Sequence, residues 1–190
     1  MYLKKSFVET SMNVYTKQND LLLDNLKIYY SEENYCQLDK ILKILNGESN
    51  ISLRIIDWFV TNYSKQKYVV YTLKNGSRFK VYNDYKLKLK AYSKKRFDPF
   101  CRWEKIIIPY KNNKFIQTTI GQLNFFKWVL DNEIIEQIEK EYDDIEKDMN
   151  NRNSTSKPKT EKNRKKREEL SISASKSIKK EVIEVSLTFD

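Results

Sequence analysis

The sequence predicts an α+β protein: helices packed on a small antiparallel sheet built from hairpins, followed by a flexible basic linker and a C-terminal strand. Three observations lead there. Apolar residues recur at helical spacing through Tyr35–Leu45 and again from Leu123 to Met149. The pair Asn75-Gly76 sits between two β-rich runs. Ile183, Val185, Leu187 and Phe189 alternate near the end of the chain. Together they divide the chain into an N-terminal segment of little periodicity (1–20), a globular domain (21–149), a linker (150–178) and a terminal strand (179–190).

Within the domain, Tyr35, Leu38, Ile41, Leu42 and Leu45 mark one face of a helix, with Ser31 as its expected N-cap and Gly47 as its C-cap. Ile51–Tyr63 reads as a second helix through Leu53, Ile56, Phe59 and Val60. The runs Lys67–Leu73 and Arg78–Tyr82 form a hairpin, and Asn75-Gly76 suits a type I′ turn. In the second run Phe79 and Val81 alternate with Arg78, Lys80 and Tyr82, so one face is apolar and the other cationic and aromatic. From Asp84 to Arg96 both periods fit. Ala, Leu and Lys favour a helix capped by Asp84 and ended before Pro99. Phe97–Trp103 reads as a compact turn. Glu104–Tyr110 and Lys114–Gln117 form a second hairpin, with Pro109 at an end or edge. Thr119-Ile-Gly-Gln122 has capping-box spacing and opens a helix that Asp131-Asn132 breaks. Ile134–Met149 then reads as one acidic amphipathic helix, and Asn150–Lys166 as a polar, disordered linker.

Composition removes several classes of function. The chain of 190 residues has no His, so the commonest neutral-pH base and metal ligand is missing. Cys36 and Cys101 are 65 positions apart, and no CxxC pair provides a zinc site. Gly47, Gly76 and Gly121 are too scattered for a phosphate-cradling loop. No cofactor, metal or catalytic residue is expected, and no apolar run approaches a membrane span. A carboxylate-only, metal-dependent nuclease using Asp57, Asp84, Asp98 and Glu104 is the one enzymatic alternative. Helix capping or pairing with Lys and Arg explains those acids more simply.

Charge layout is the stronger signal. Residues 51–116 hold 16 basic and 4 acidic side chains, whereas residues 117–150 hold 3 basic and 9 acidic. A one-sign block repels itself unless a partner compensates it. The partner is either a polyanion or the chain's own acidic helix folded back on the basic middle. Candidate phosphate contacts are Arg78, Lys80, Lys86, Lys88, Lys90, Lys94, Lys95, Arg96, Arg102 and Lys105, with Tyr92 available to stack on bases. Arg164, Lys165, Lys166 and Arg167 form a short tethering patch in the linker. The second helix of the Gly121–Ile138 pair carries Glu133 and Glu136, so it is no groove-reading helix.

Four stretches carry a family resemblance: Ile55-Ile-Asp-Trp-Phe-Val-Thr-Asn-Tyr-Ser64, Leu89-Lys-Ala-Tyr-Ser-Lys-Lys-Arg-Phe-Asp-Pro-Phe-Cys-Arg102, Thr118-Thr-Ile-Gly-Gln-Leu-Asn-Phe-Phe-Lys-Trp128 and Arg167-Glu-Glu-Leu-Ser-Ile-Ser-Ala-Ser-Lys-Ser177. They resemble small, mostly uncharacterised proteins of large nucleocytoplasmic DNA viruses, the giant viruses of amoebae and algae. Some members are described as candidate transcription factors. The resemblance covers about residues 50–190 and implies no catalytic residue. It gives the expectation of a viral factor that binds DNA or RNA in the cytoplasmic viral factory or nucleus. Its expected protein partner is viral RNA polymerase or another viral protein, met through acidic residues 133–149 or the terminal strand. The alternative is a structural, virion-packaged interaction protein.

Overall fold

The computed structural model describes residues 18–111, 114–155 and 179–181 of the chain. The fold is α+β, with helices around two small antiparallel sheets.

Helix α1 (residues 18–31) buries Leu26 and Tyr30. Ser31 closes this helix rather than opening the next: its hydroxyl donates to the Ile28 carbonyl at 2.8 Å and caps nothing. The chain then turns through Glu33, Asn34 and Tyr35 in left-handed backbone, with φ of 46°, 54° and 63°. Helix α2 (Cys36–Leu45) follows, burying Leu38, Ile41, Leu42, Ile44 and Leu45. It ends as expected at Gly47, whose φ of 74° lets the Glu48 N–H reach back to the Lys43 carbonyl at 2.8 Å.

Ser52 caps α3 (Leu53–Trp58) by accepting from the Ile55 N–H. The helix widens to a π turn at Phe59–Tyr63 and continues as α4 (Ser64–Lys67). Thr61 and Ser64 hydroxyls donate to the carbonyls of Asp57 and Val60, four residues back. Such back-bonding competes with the helical ladder and loosens it locally.

Strands β1 (Val70–Thr72) and β2 (Arg78–Lys80) pair in the register Tyr71↔Phe79. Their connection is not type I′, which needs two positive φ angles; only Gly76 has one, at 80°. Gly76 N–H bonds the Leu73 carbonyl, and the Asn75 side chain accepts from Ser77. This is the pattern of a three-residue loop with glycine in the left-handed position. The second strand is also shorter than expected. Val81 and Tyr82 belong to α5 (Val81–Arg96), and Asp84 lies inside that helix instead of capping it.

Strands β3 (Lys105–Tyr110) and β4 (Lys114–Thr119) form the second hairpin, with β3 and its Pro109 at the sheet edge. Strand β5 (Lys179–Glu181) pairs antiparallel with the other side of β4, so this part of the terminal strand adds to the chain's own sheet. Residues 182–190 lie outside the described residues.

Thr119 caps α6 (Ile120–Asp131), accepting from the Gln122 N–H. Helix α6 is buried on nearly every side, as its apolar composition requires. The acidic segment is two helices, α7 (Ile134–Lys140) and α8 (Tyr142–Thr155), broken at Glu141. Helix α8 carries the chain to Thr155, so the first residues of the expected linker are helical. The core joins both sheets to these helices and is densely aromatic. Phe97 meets Tyr85, Tyr92, Phe125 and Trp128 at centroid distances of 5.4–6.3 Å.

Candidate nucleic-acid interface

Helix α5 divides its surface by helical period. Val81 is fully buried and Tyr85, Leu89 and Tyr92 pack on the core, whereas Asn83, Lys86, Leu87 and Lys90 are exposed. Lys88 is half-buried at the margin. Lys80 is the residue immediately before the helix, so the exposed cations of β2, Arg78 and Lys80, lead into the same chain segment. Beyond the helix body, Lys94, Lys95, Arg102 and Lys105 are exposed and Arg96 is half-buried. Tyr92 does not belong with them. It stacks on Phe97 at 6.3 Å and 23°, turned toward the core.

The loop that carries the second cluster is unusually constrained. Ser93 has φ 59° and ψ 167°, a region almost reserved for glycine, and Glu104 has φ 49°. Between them, Asp98 accepts from the Phe100 N–H at 2.8 Å, and the Cys101 N–H closes a turn on the Asp98 carbonyl. The N-terminal turns of α6 hold this loop from below. Gln122 Nε2 donates to the Pro99 carbonyl at 3.0 Å, and Asn124 Nδ2 to the Arg96 carbonyl at 2.8 Å. The Asp98 N–H bonds the Gly121 carbonyl. Gly121 is closely covered: a Cβ would lie 3.0 Å from Cys101 Cβ and 3.1 Å from the Lys95 carbonyl, so either neighbour would have to shift to admit one.

Three of the stretches that suggested a family therefore meet in space. Two of them are joined by these hydrogen bonds, and the first contributes Asp57, whose charge faces Asp98. Capping-box spacing accounts for Thr119 and Gln122 but does not reveal that Gln122 and Asn124 bracket the loop. Buried amides at those positions were the available signal, since a buried amide needs a partner.

The acids of the basic middle have distinct fates. Asp84 accepts from the Trp128 indole N–H at 2.6 Å. Glu104 pairs with Lys95. Asp98 stabilises its own turn. Asp57 is left without such a bond; burial foremost, then the Asp98 charge, push its carboxyl up to about 6, with Lys94 opposing. The same two acids and, above all, burial raise Tyr85 to about 12. Among the described residues no three carboxylates or thiols converge as metal ligands. Cys36 and Cys101 are free thiols.

The acidic helices do not cover this surface with ion pairs. Helix α8 lies against α3 through Ile145 and Met149, where Asp148 accepts from the Trp58 indole N–H at 3.0 Å and pairs with Arg152. Burial, then the hydrogen bond and charge of Glu141, raise Tyr63 to about 12. Glu133 reaches the basic middle at the hairpin, accepting from the Lys74 backbone N–H, and its charge also acts on Tyr71. Among the described residues, no ion pair links α7 or α8 to Lys86, Lys88, Lys90 or Lys94. Arg164, Lys165, Lys166 and Arg167 lie outside the described residues.

An α+β protein with a cationic helix and loop on its surface is the class that fold and geometry define. A family model described as a family of unknown function (DUF7197) matches residues 5–190, and the chain belongs to that family. An uncharacterized protein of Acanthamoeba polyphaga mimivirus is 41% identical over 180 residues, covering 87% of this chain and 68% of the relative. The resemblance to giant-virus proteins holds at that level: a giant-virus family of unknown function. No solved structure matches the chain. No helix among the described residues is long and apolar enough to cross a membrane.

Proposed function

We propose that the protein is a non-catalytic nucleic-acid-binding factor of a giant virus, acting in transcription beside the viral RNA polymerase. The observation that carries this reading is exposed Lys86 and Lys90 on one face of α5, with exposed Lys94 just past the break at Ser93, and none of the three in an ion pair among the described residues. Lysines left open to solvent along one chain segment are suited to displacing counterions from phosphates, which yields strong, salt-sensitive and largely sequence-independent affinity. Lys95, Arg96, Arg102 and Lys105 extend the surface around the constrained loop. The exposed acids of α7 and α8, including Glu136, Glu139, Asp143 and Asp144, would face a basic protein partner.

The test is fluorescence anisotropy with labelled oligonucleotides at several salt concentrations. Changing Lys86, Lys90 and Lys94 to Glu should weaken binding at least about tenfold and flatten the dependence of log K on log salt by roughly two to three or more. Wild-type protein that ignores every nucleic acid, or binds with no salt dependence, removes the reading and leaves the virion-packaged interaction protein as the better one.

A further inference from the structure

We infer that Trp103 is a stacking platform that makes this surface select unpaired bases, so that its ligand is single-stranded nucleic acid. The inference rests on the cationic reading above and adds the class of strand.

The chain has three tryptophans, and two have structural roles. Trp128 is 4% exposed in the aromatic core and donates to Asp84. Trp58 is half-buried with its indole N–H on Asp148. Trp103 is 74% exposed. A lone exposed leucine would mean little, but an indole left in water forgoes one of the largest burial gains available to a side chain.

Its position supplies the reason. Trp103 follows Arg102 and precedes Glu104, and the Glu104 carboxylate holds Lys95. The single S–H of Cys101 has two carbonyl acceptors in reach, that of Lys95 at 3.6 Å and that of Trp103 at 4.0 Å. The backbone of Trp103 is thereby tied to the cationic end of α5. Left-handed backbone at Ser93 and Glu104 brackets the whole segment, and Gln122 and Asn124 fasten it to α6. An aromatic ring on so constrained a backbone loses little freedom on binding.

The chemistry that fits is a π face flanked by phosphates. Bases in a duplex are stacked on both sides and offer only their edges, whereas an unpaired base can lie flat on an indole. The neighbouring cations track the backbone of the strand, and the ring takes a base of any identity.

The experiment compares wild-type full chain with Trp103→Ala and Trp103→Phe on labelled dT20, U20 RNA and a 20-base-pair duplex at one salt concentration. Near-ultraviolet circular dichroism reports the core. Trp103→Ala should lose about tenfold or more on both single strands and keep its duplex affinity, while Trp103→Phe retains most of the single-strand binding. Unchanged single-strand binding by Trp103→Ala overturns the platform, and so does an equal loss on duplex. In either case a loss caused by Glu at Lys86, Lys90 and Lys94 leaves the cationic reading standing. A wild-type chain that binds none of the three probes removes both.

Discussion

Asp57 is the carboxylate whose proton the fold holds against ionisation. Its carboxyl lies on α3, below the cationic loop, without a hydrogen-bond donor of its own. Burial and the nearby Asp98 charge move it from 3.8 to about 6, against the pull of Lys94. The sign of the consequence is fixed by linkage. The folded chain holds this proton more tightly than the unfolded chain, so the contribution of Asp57 to stability is greatest below about pH 4. It is lost as pH rises through about 6. Above that, an ionised Asp57 opposes folding. Asp57→Asn should therefore melt several degrees higher than wild type at pH 7, with the difference closing toward pH 4. A gap of equal size at both pH values would show that packing, not charge, sets the effect. Sequence reasoning could assign this acid only the ordinary fate of capping or pairing, because burial and the approach of Asp98 are properties of the folded chain. At the same scale, Tyr92, expected to stack on bases, faces the core, and Trp103 is the exposed ring. Both are aromatic residues among cations in the sequence, and only tertiary packing decides that Tyr92 meets Phe97 while Trp103 meets water.

Elements announced by local chemistry were the legible ones. Thr119 caps α6, Gly47 ends α2, and both hairpins pair as their alternating runs require. Elements set by backbone strain were not. Glu33, Asn34, Tyr35, Ser93, Glu104 and Glu133 all adopt positive φ without being glycine, so nothing in their side chains marks the turns they make. The break between α7 and α8 at Glu141 is hidden in the same way, because Ile134, Ile138, Ile145 and Met149 stay on a buried face on both sides of it. The junction of α6 with the Phe97–Trp103 loop is the element-level feature most open to test. Gly121 is helical there, and its lack of a side chain is what allows Cys101 and the Lys95 carbonyl to approach. Ordinarily Gly→Ala within a helix is stabilising. Here Gly121→Ala should instead destabilise by about 1–3 kcal/mol, the usual consequence of overpacking a filled site. Urea unfolding followed by circular dichroism measures it; a variant as stable as wild type would mean the loop yields freely and is not clamped.

At the scale of the whole molecule, charge and topology act together. The acidic helix α8 packs on α3 at the N-terminal end of the basic middle, and its acids meet Trp58, Arg152 and the surroundings of Tyr63 rather than the lysines of α5. The sequence left two partners open for the basic block, and it left two for the terminal strand. For the strand, residues 179–181 occupy the free side of β4, in the register Ile116↔Lys180. This pairing protects an edge. Without β5, β4 would present unsatisfied backbone groups beside the partly buried Phe115 and Lys114, and a bare strand edge is a template for another chain. A chain ending at residue 155 should accordingly self-associate at concentrations where the full chain is monodisperse, as read by size-exclusion chromatography with light scattering. A synthetic peptide spanning residues 176–190 should reverse the association by refilling the edge, whereas a peptide with proline at positions 179 and 181 should not, because proline has no N–H to give to the ladder. A truncated chain that elutes like the full one would mean that β5 contributes nothing to keeping β4 covered, and the strand would then be free to add to the sheet of a partner.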